Sequence, residues 1–553
     1  MTGLNLYSVL KENFPGVELD SILDRADSNN IFNINTISLD TPIAASIKLN
    51  KEPDIKRLIK LAIEKDFIIQ PIGSGKNWGY GSFYRNESRP IVVLDLSQMN
   101  SITEVDKELG LIKLGPGVTQ QQLCDYLDQN GWHYMCPTTG AGPSVSVLAN
   151  AIERGYGLTP HTDHFMAVNS LRGIIPNPKL WGDDEEDFIY KSAIASLDLS
   201  EEGFVDNTFK WGLGPYVEGV FTQSSNAIVT EGTIRLAKRP QGFLSFVIKV
   251  QSDHKLDSAL AFIRNSLGEF EGAIPAINLM DKRRFIAMNG ENPNGAVGQK
   301  LLSDEQISRF TKDNLLAEWM VVGTVYGNKD VVKAVRKHLK KSAKKVGFIL
   351  FTDSILIKAG TQLTKLFPFG KIKTLKHNIE NLKESNELML GTPKQMALPL
   401  AYWRNSKTEP NLDRNLNPAK DGCGLLWYAP LVPMKKESIK SFVEFVRKTC
   451  LKHKVEPFIT LTVLHHDCAD STIPILYDKD DPDSVKNAFA CNEELFEEGR
   501  KLGFVPYRMS VQQQMDKLNP DHIHWKVCAE IKKALDPYNI LTPTRYNPVP
   551  NKS

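Results

Sequence analysis

The 553-residue chain lacks several features that would have named a class at once. It has no CxxC pair. Its seven cysteines lie scattered at 124, 136, 423, 450, 468, 491 and 528, an odd total that argues against a disulfide framework and fits a reducing compartment. No stretch of about 18 apolar residues occurs, and MTGLNLYSVLKENFPGVELD has no basic segment leading into an apolar core, so a cytoplasmic chain with no transmembrane segment is expected. Charge has no dominant sign: Lys+Arg 67 against Asp+Glu 65 leaves +2, which supplies no field for drawing in nucleic acid. Low-complexity tracts and close-period repeats are absent too. The one local exception in charge is KDVVKAVRKHLKKSAKK, from Lys329 to Lys345, which is followed by VGFILF and later LFPFG. A basic helix beside apolar residues can lie on a membrane, but the expected reading is a solvated helix face.

What is present is ordinary globular composition, 41% apolar and 24% charged, in a chain too long for one hydrophobic core. From Glu52 to Phe67, EPDIKRLIKLAIEKDF has helical spacing, and IIQPIG then reads as a buried strand ending in a glycine-rich turn. PIVVLDLSQM follows as a strand, ITEVDKELGLIKLGPGVT as a hairpin, and TQQQLCDYLDQNGW as a helix capped by Thr119. Beyond Pro240 long apolar strands alternate with amphipathic helices: FLSFVIKV, EWMVVGTVYG, GLLWYAPLVP, FITLTVL and TIPILYD, with a helix near Asn487–Leu502. That pattern predicts a large antiparallel sheet with helices on one face.

Chemistry concentrates in a few segments. Pro71-Ile-Gly-Ser-Gly-Lys-Asn-Trp-Gly-Tyr80-Gly places glycines and a serine directly after a strand, so several N–H groups can aim at one point, as a pyrophosphate requires. It is neither a Walker loop nor a dinucleotide fingerprint. Pro137 to Ser144 and Asn150 to His164 are rich in small residues that let a planar ring approach the backbone. Gln223 to Thr230 and Leu541 to Pro548 supply two more such stretches.

Taken in order, PIGSGKNWGYGS, the PGVT of Pro116–Thr119, ANAIERGYGLTPHTDHF, GPYVEGVFTQSSNAIVT and DPYNILTPTRYNP resemble the flavin-binding landmarks of the vanillyl-alcohol oxidase and p-cresol methylhydroxylase family. The resemblance implies an α+β, two-domain FAD-linked oxidase. Residues 1–240 and a returning segment, 504–553, would hold FAD, with 241–503 as a substrate cap. It implies extended FAD with its pyrophosphate over Pro71, Ile72, Gly73, Ser74, Gly75, Lys76 and Asn77. Further contacts would come from Cys136, Pro137, Thr139, Gly140, Gly142, Ser144, Asn150, Gly155, Gly157, Thr159, Asp163, His164, Ile228 and Val229. Arg545 would face the flavin or its pyrophosphate.

By the same resemblance Tyr80, Tyr507 and Arg508 surround a phenolic oxygen. Two phenol donors and a guanidinium lower the pKa of a bound phenol, and a phenolate releases hydride from its para carbon to flavin N5 through a quinone-methide-like intermediate. The expected partners are a small aromatic substrate and oxygen or a redox protein as electron acceptor, in a homo-oligomer. Two alternatives stay open: oxidation of a non-phenolic natural-product intermediate at a C–N or C–O bond, and flavin binding without turnover.

The chain departs from the family in two ways. Where many relatives carry an aspartate in a PDL segment, it reads Pro137-Thr138-Thr139-Gly140, and a threonine is no general base at neutral pH. The cap strand Asp421–Pro430 has no histidine for covalent attachment. Non-covalent FAD is therefore expected, with Cys136, Tyr428 or Cys423 as alternatives for a link. Finally, His465-His466-Asp467-Cys468 holds metal-ligating types, but neighbours on an extended strand face opposite ways, so no metal is expected. That strand end is expected to line the substrate cavity, with His466 standing in for the missing carboxylate, while His164 fixes its backbone turn.

Overall fold

The computed structural model describes residues 5–82, 88–183, 186–200, 203–289, 291–297, 299–314, 316–352 and 371–548. The LFPFG segment lies outside them. Strand β1 (Ala45–Lys48) leads into α1 (Glu52–Lys65), then β2 (Ile68–Ile72) and β3 (Ile91–Asp95). Helix α1 starts with a proline in its first turn and stops at Asp66, which takes a left-handed conformation. Its Ile55, Leu58, Ile59 and Ala62 are buried. Both β1 and β2 run parallel to β3 between them. Every residue of β3 is buried, which is why it reads as an unbroken apolar run. The glycine loop thus leaves the carboxyl end of a parallel strand, the edge at which open α/β sheets bind ligands.

A second, five-stranded antiparallel sheet contains β4 (Leu111–Leu114), β5 (Val168–Ile174) and β6 (Ile228–Arg235). Between β4 and β5 lie α2 (Gln120–Gln129) and α3 (Val147–Ile152). Thr119 and Gln122 form a reciprocal capping box on α2, the start its sequence predicts.

The third layer is a nine-stranded antiparallel sheet. In chain order its central parts are β7 (Gly242–Val250), β8 (Ile277–Asp281) with α4 (Lys282–Asn289) directly after it, and β9 (Trp319–Gly327) with α5 (Lys329–Ser342). Then come β10 (Cys423–Tyr428), α6 (Lys436–Lys452), β11 (Thr460–Val463), β12 (Cys468–Asp478) and α7 (Pro482–Lys501). Helices α5, α6 and α7 bury Leu339, Phe442 and Leu495 in one cluster with Phe246, Trp319 and Leu461 of the sheet. Each such side chain contributes about 1.5–3 kcal/mol relative to exposure. The basic run is α5: Val335 and Leu339 point into the core while most of its lysines are exposed. No helix among the described residues is long and apolar enough to cross a membrane.

The chain ends meet at β2. The Ile69 amide donates to the Ile540 carbonyl at 2.8 Å, and Leu541 bridges Ile69 in parallel. Buried Lys532 ties this segment down through Asp536 (2.7 Å) and the carbonyls of Ser225 and Leu541. Strand β8 and helix α4 are not anticipated from sequence. Five alternating residues run straight into a charged helical turn, too short a pattern to separate from a loop.

Candidate active site

The first loop is shaped by two tight approaches. A Cβ on Gly73 would sit 2.7 Å from the Pro116 carbonyl, and one on Gly79, which has φ of 78°, would strike the Trp427 ring. Between them the amides of Ser74, Gly75, Lys76, Asn77 and Trp78 make no hydrogen bond to a described residue. Five successive free amides form a cradle suited to a pyrophosphate. The loop is held from outside: Ser74 Oγ accepts from the Ser146 amide (3.2 Å), Lys76 Nζ donates to the Ser144 carbonyl (3.0 Å), and the Tyr80 carbonyl accepts from Val511 (2.8 Å). Burial pushes the Lys76 ammonium down to about 8.

This loop lines a cavity of about 460 Å3. Pro71 through Asn77, Gly140, Asn150, Ile228, Val229 and Arg545 all contribute to its wall, as do Tyr80 and Arg508. The other residues expected at the cofactor do not, and neither does Tyr507, which is placed beside Tyr156. Cys136 is buried in an apolar cluster, its thiol donating to the Gln120 carbonyl at 3.3 Å, so it is turned away from the cavity. Thr139 Oγ1 accepts from Gln120 Nε2 (2.7 Å) and Thr138 Oγ1 donates to the Leu388 carbonyl (2.8 Å), committing both hydroxyls to structure. Pro137, Thr159 and His164 line a separate small space behind the cavity wall. Gly142, with φ of 89°, packs on Leu398, and Ser144 serves through its carbonyl.

Gly155, Gly157, Asp163 and His164 build the turn that supports Asn150. Asn150 Nδ2 bonds His164 Nδ1 (2.9 Å) and the Gly155 carbonyl, and a Cβ on Gly157 would strike the imidazole. Asp163 accepts from the Met166 amide. Burial holds His164 down to about 4, so it stays neutral and positional. On the cap strand Tyr428 donates to the Phe504 carbonyl and Cys423 is held by Asn405, while Leu425 and Trp427 face the cavity.

The expectation for His466 is overturned. Residues 464–467 form the turn between β11 and β12, and His465, His466 and Asp467 are exposed there, outside the cavity wall. Pairing of β11 with β12 from Val463 and Ala469 onward forces these residues into the connection. The group that β12 carries inward is Asp470. It is buried, its Oδ1 has no partner among the described residues, and burial holds its carboxyl well above the usual range, with Arg508 opposing.

Burial raises the pKa of Tyr80, Tyr156 and Tyr507, with Asp470 adding to it, so their phenols stay protonated. The rings of Tyr156 and Tyr507 lie 5.3 Å apart. Arg508 stacks its guanidinium 4.5 Å from the Tyr80 ring centroid, donates Nη2 to Asn77 Oδ1 at 2.7 Å, and lies 3.5 Å from Glu153 Oε2. Its Nε is buried without a partner among the described residues. Glu153 also pairs with Arg545. Burial works against its ionisation, but the two guanidiniums hold its carboxyl below the ordinary range.

A free amide cradle, a cleft and a tyrosine–arginine end suit a flavin dinucleotide beside a small aromatic molecule. Residues 43–179 match the FAD-binding domain family. Over 515 residues the chain is 27% identical to 1'-carboxy-chondrochloren decarboxylase of Chondromyces crocatus, covering 91% of this chain and 90% of that one. It is 25% identical to the flavoprotein subunit of 4-cresol dehydrogenase [hydroxylating] of Pseudomonas putida over 526 residues, 91% and 87% of the two chains. The structure of p-cresol methylhydroxylase with substrate bound superposes with a TM-score of 0.82 at 21% identity, covering 99% and 98%. The FAD-binding domain, together with likeness over nearly the whole chain, supports a FAD-dependent oxidoreductase of the p-cresol methylhydroxylase and vanillyl-alcohol oxidase type.

FAD is the cofactor of this oxidoreductase. Two residues escape the sequence reading: Glu153, in the cavity wall, and Asp470, buried outside that wall. Glu153 sits inside the quoted ANAIERGYG segment, and a charged residue among small ones facing an expected cofactor was the available signal. Asp470 sits four residues beyond His466, on the strand rather than in its turn.

Proposed function

We propose that this oxidoreductase takes a hydride from a para-substituted phenol or aryl alcohol bound at Tyr80, Tyr507 and Arg508. The observation that carries this reading is the buried, unpartnered Nε of Arg508 beside two tyrosines that remain protonated. A buried donor without an acceptor is costly, and a phenolate oxygen accepts from it and from both hydroxyls. FAD, when bound, supplies the hydride acceptor at N5. The amides of 74–78 hold its pyrophosphate, and Arg545, fixed by Glu153, faces the ring system or the pyrophosphate.

No carboxyl nearby stands ready as a base. Asp470 already keeps its proton, and Glu153 is held by two guanidiniums. The substrate therefore binds as its anion, and the protein's part is to stabilise the phenolate while the para carbon gives up hydride toward a quinone-methide-like state. Residues 1–240 and 504–553 act as the FAD domain and 241–503 as the cap. No thiol, histidine or phenol on the cap strand or at Cys136 faces the cavity, which favours non-covalent FAD.

A second reading keeps the flavin and exchanges the phenol for a natural-product intermediate. Two observations favour it: Thr138 and Thr139 are committed to structure, and one relative is named for a carboxylated natural product and its decarboxylation. Anaerobic flavin bleaching across 4-alkylphenols, aryl alcohols and amines separates the two. Rapid bleaching by 4-alkylphenols that is lost in Tyr507→Phe and Arg508→Ala with FAD retained supports the phenolate site; unchanged rates in those variants reject it.

A further inference from the structure

The cap wall of the same cavity holds a third guanidinium. Arg284 projects from α4 and lines the cavity. Its Nε and Nη1 are shielded from solvent and have no hydrogen-bond partner, and no carboxylate lies within salt-bridge distance of it, among the described residues. Its neighbours are provided for. Lys282 pairs with Glu318, Arg283 with Glu456, and Arg404 donates to the Lys300 carbonyl at 2.7 Å. Asp281, three residues back, is spent on the Arg284 backbone amide at 2.9 Å, and burial pushes that carboxyl up to about 7. Burial also pushes Arg284 itself down to about 10.

Around Arg284 the wall is apolar. Ile286 and Ala287 of α4 belong to one cluster with Leu400, Leu425 and Leu476, against which Trp427 packs. A cation so placed is strongly disfavoured without an acceptor. The pyrophosphate of FAD is served elsewhere, by the amides of 74–78, so it does not supply that acceptor. One guanidinium with no second cation suits a monoanion, and the planar fork of Arg matches a carboxylate in two parallel hydrogen bonds.

We propose that Arg284 anchors a carboxylate on the substrate, so that the molecule oxidised here carries a phenol at one end and a carboxylate held against the cap at the other. This rests on the phenol reading for the first end and on Arg284 alone for the second. A neutral 4-alkylphenol would then be a truncated substrate, able to occupy the tyrosine–arginine end without filling the cap end.

The test uses the FAD-loaded protein under anaerobic conditions, with dissociation constants read from perturbation of the flavin spectrum. Three probes share one skeleton: 3-(4-hydroxyphenyl)propanoate, neutral 4-propylphenol, and 3-phenylpropanoate, which lacks the phenol. In the wild type the hydroxyphenylpropanoate should bind at least about tenfold more tightly than 4-propylphenol, the expected effect of a charge-assisted hydrogen-bonded pair. Arg284→Gln should erase that ratio, and Arg284→Lys should keep part of it. A wild-type ratio near one, or a ratio that survives in Arg284→Gln, overturns the anchor. If the Gln variant loses FAD, the wild-type ratio and the Lys variant decide. Should 3-phenylpropanoate bind in an Arg284-dependent way while neither phenol responds to Arg508→Ala, the phenol end is wrong and the anchor stands. Should 4-propylphenol bleach the flavin with dependence on Arg508 while the carboxylate gives no advantage, the anchor fails and the phenol end stands.

Discussion

The two walls of the cavity treat positive charge in opposite ways. On the wall built from α3 and the C-terminal segment, Arg508 and Arg545 share one buried carboxylate, Glu153, and Arg508 is further fixed by Asn77 and the Tyr80 ring. On the cap wall Arg284 has apolar neighbours and, among the described residues, no carboxylate within ion-pair distance, Asp281 being spent on its backbone amide. The first arrangement is preorganised: its guanidiniums are already oriented when a ligand arrives, and Nε of Arg508 is shielded from solvent with a bond still to make. The second is incomplete, and it gains an acceptor only when a ligand brings one. Preorganisation suits the end where charge develops during reaction, and incompleteness suits the end that selects what enters.

That contrast can be broken at several points. The largest effect is expected at Arg508, where Arg508→Ala should slow anaerobic flavin reduction by a phenol by about 10²–10³-fold, the size of losing one preorganised donor to a developing charge. Stopped-flow reduction with FAD content measured in parallel checks it. Removing the shared carboxylate comes next: Glu153→Ala leaves two largely enclosed guanidiniums uncompensated and should cost about 2–3 kcal/mol, seen as a lower unfolding temperature and weaker FAD retention. On the cap wall the opposite sign is expected. Arg284→Met removes an unpaired charge, so stability should rise by about 1 kcal/mol in thermal unfolding.

The smallest effect at a fixed pH is at Asp470, but it has a distinctive pH signature. Its folded pKa is raised, so between its unfolded value of about 4 and the folded value the native state holds a proton that the unfolded state does not. Stability must therefore fall as pH rises through that window, by at most about 1.4 kcal/mol per pH unit. Asp470→Asn should flatten that slope, gaining on the wild type as pH goes from 5 to 8 in denaturant titrations. An unaltered slope would place the carboxyl in a more solvated setting than the one described.

How far the sequence foretells these features depends on the distance over which each is determined. The helix over Glu52–Lys65, the capped helix after Thr119 and the long strands beyond Pro240 are set by local periodicity and capping, and each forms close to where the pattern places it. The loop from Pro71 to Asn77 is equally local, since a strand end followed by glycines already dictates a nest of amides. His466 is misread because the same four residues suit a strand or a turn, and only the pairing of Val463 with Ala469 chooses between them. Cys136 is misread because its neighbours in sequence lead to the cavity while its own side chain faces Gln120. Glu153 and Arg284 acquire meaning only through partners hundreds of residues away, or through the lack of any.

The loop from Gly73 to Gly81 carries a last consequence. Within nine residues it presents the amide cradle at one end and Tyr80 at the other, and it is pinned at both faces, to Ser146 on one side and to Val511 on the other. The cradle and Tyr80 are therefore coupled through one short, doubly anchored segment. A substitution that moves either anchor is expected to disturb both the seat of the dinucleotide and the placement of Tyr80.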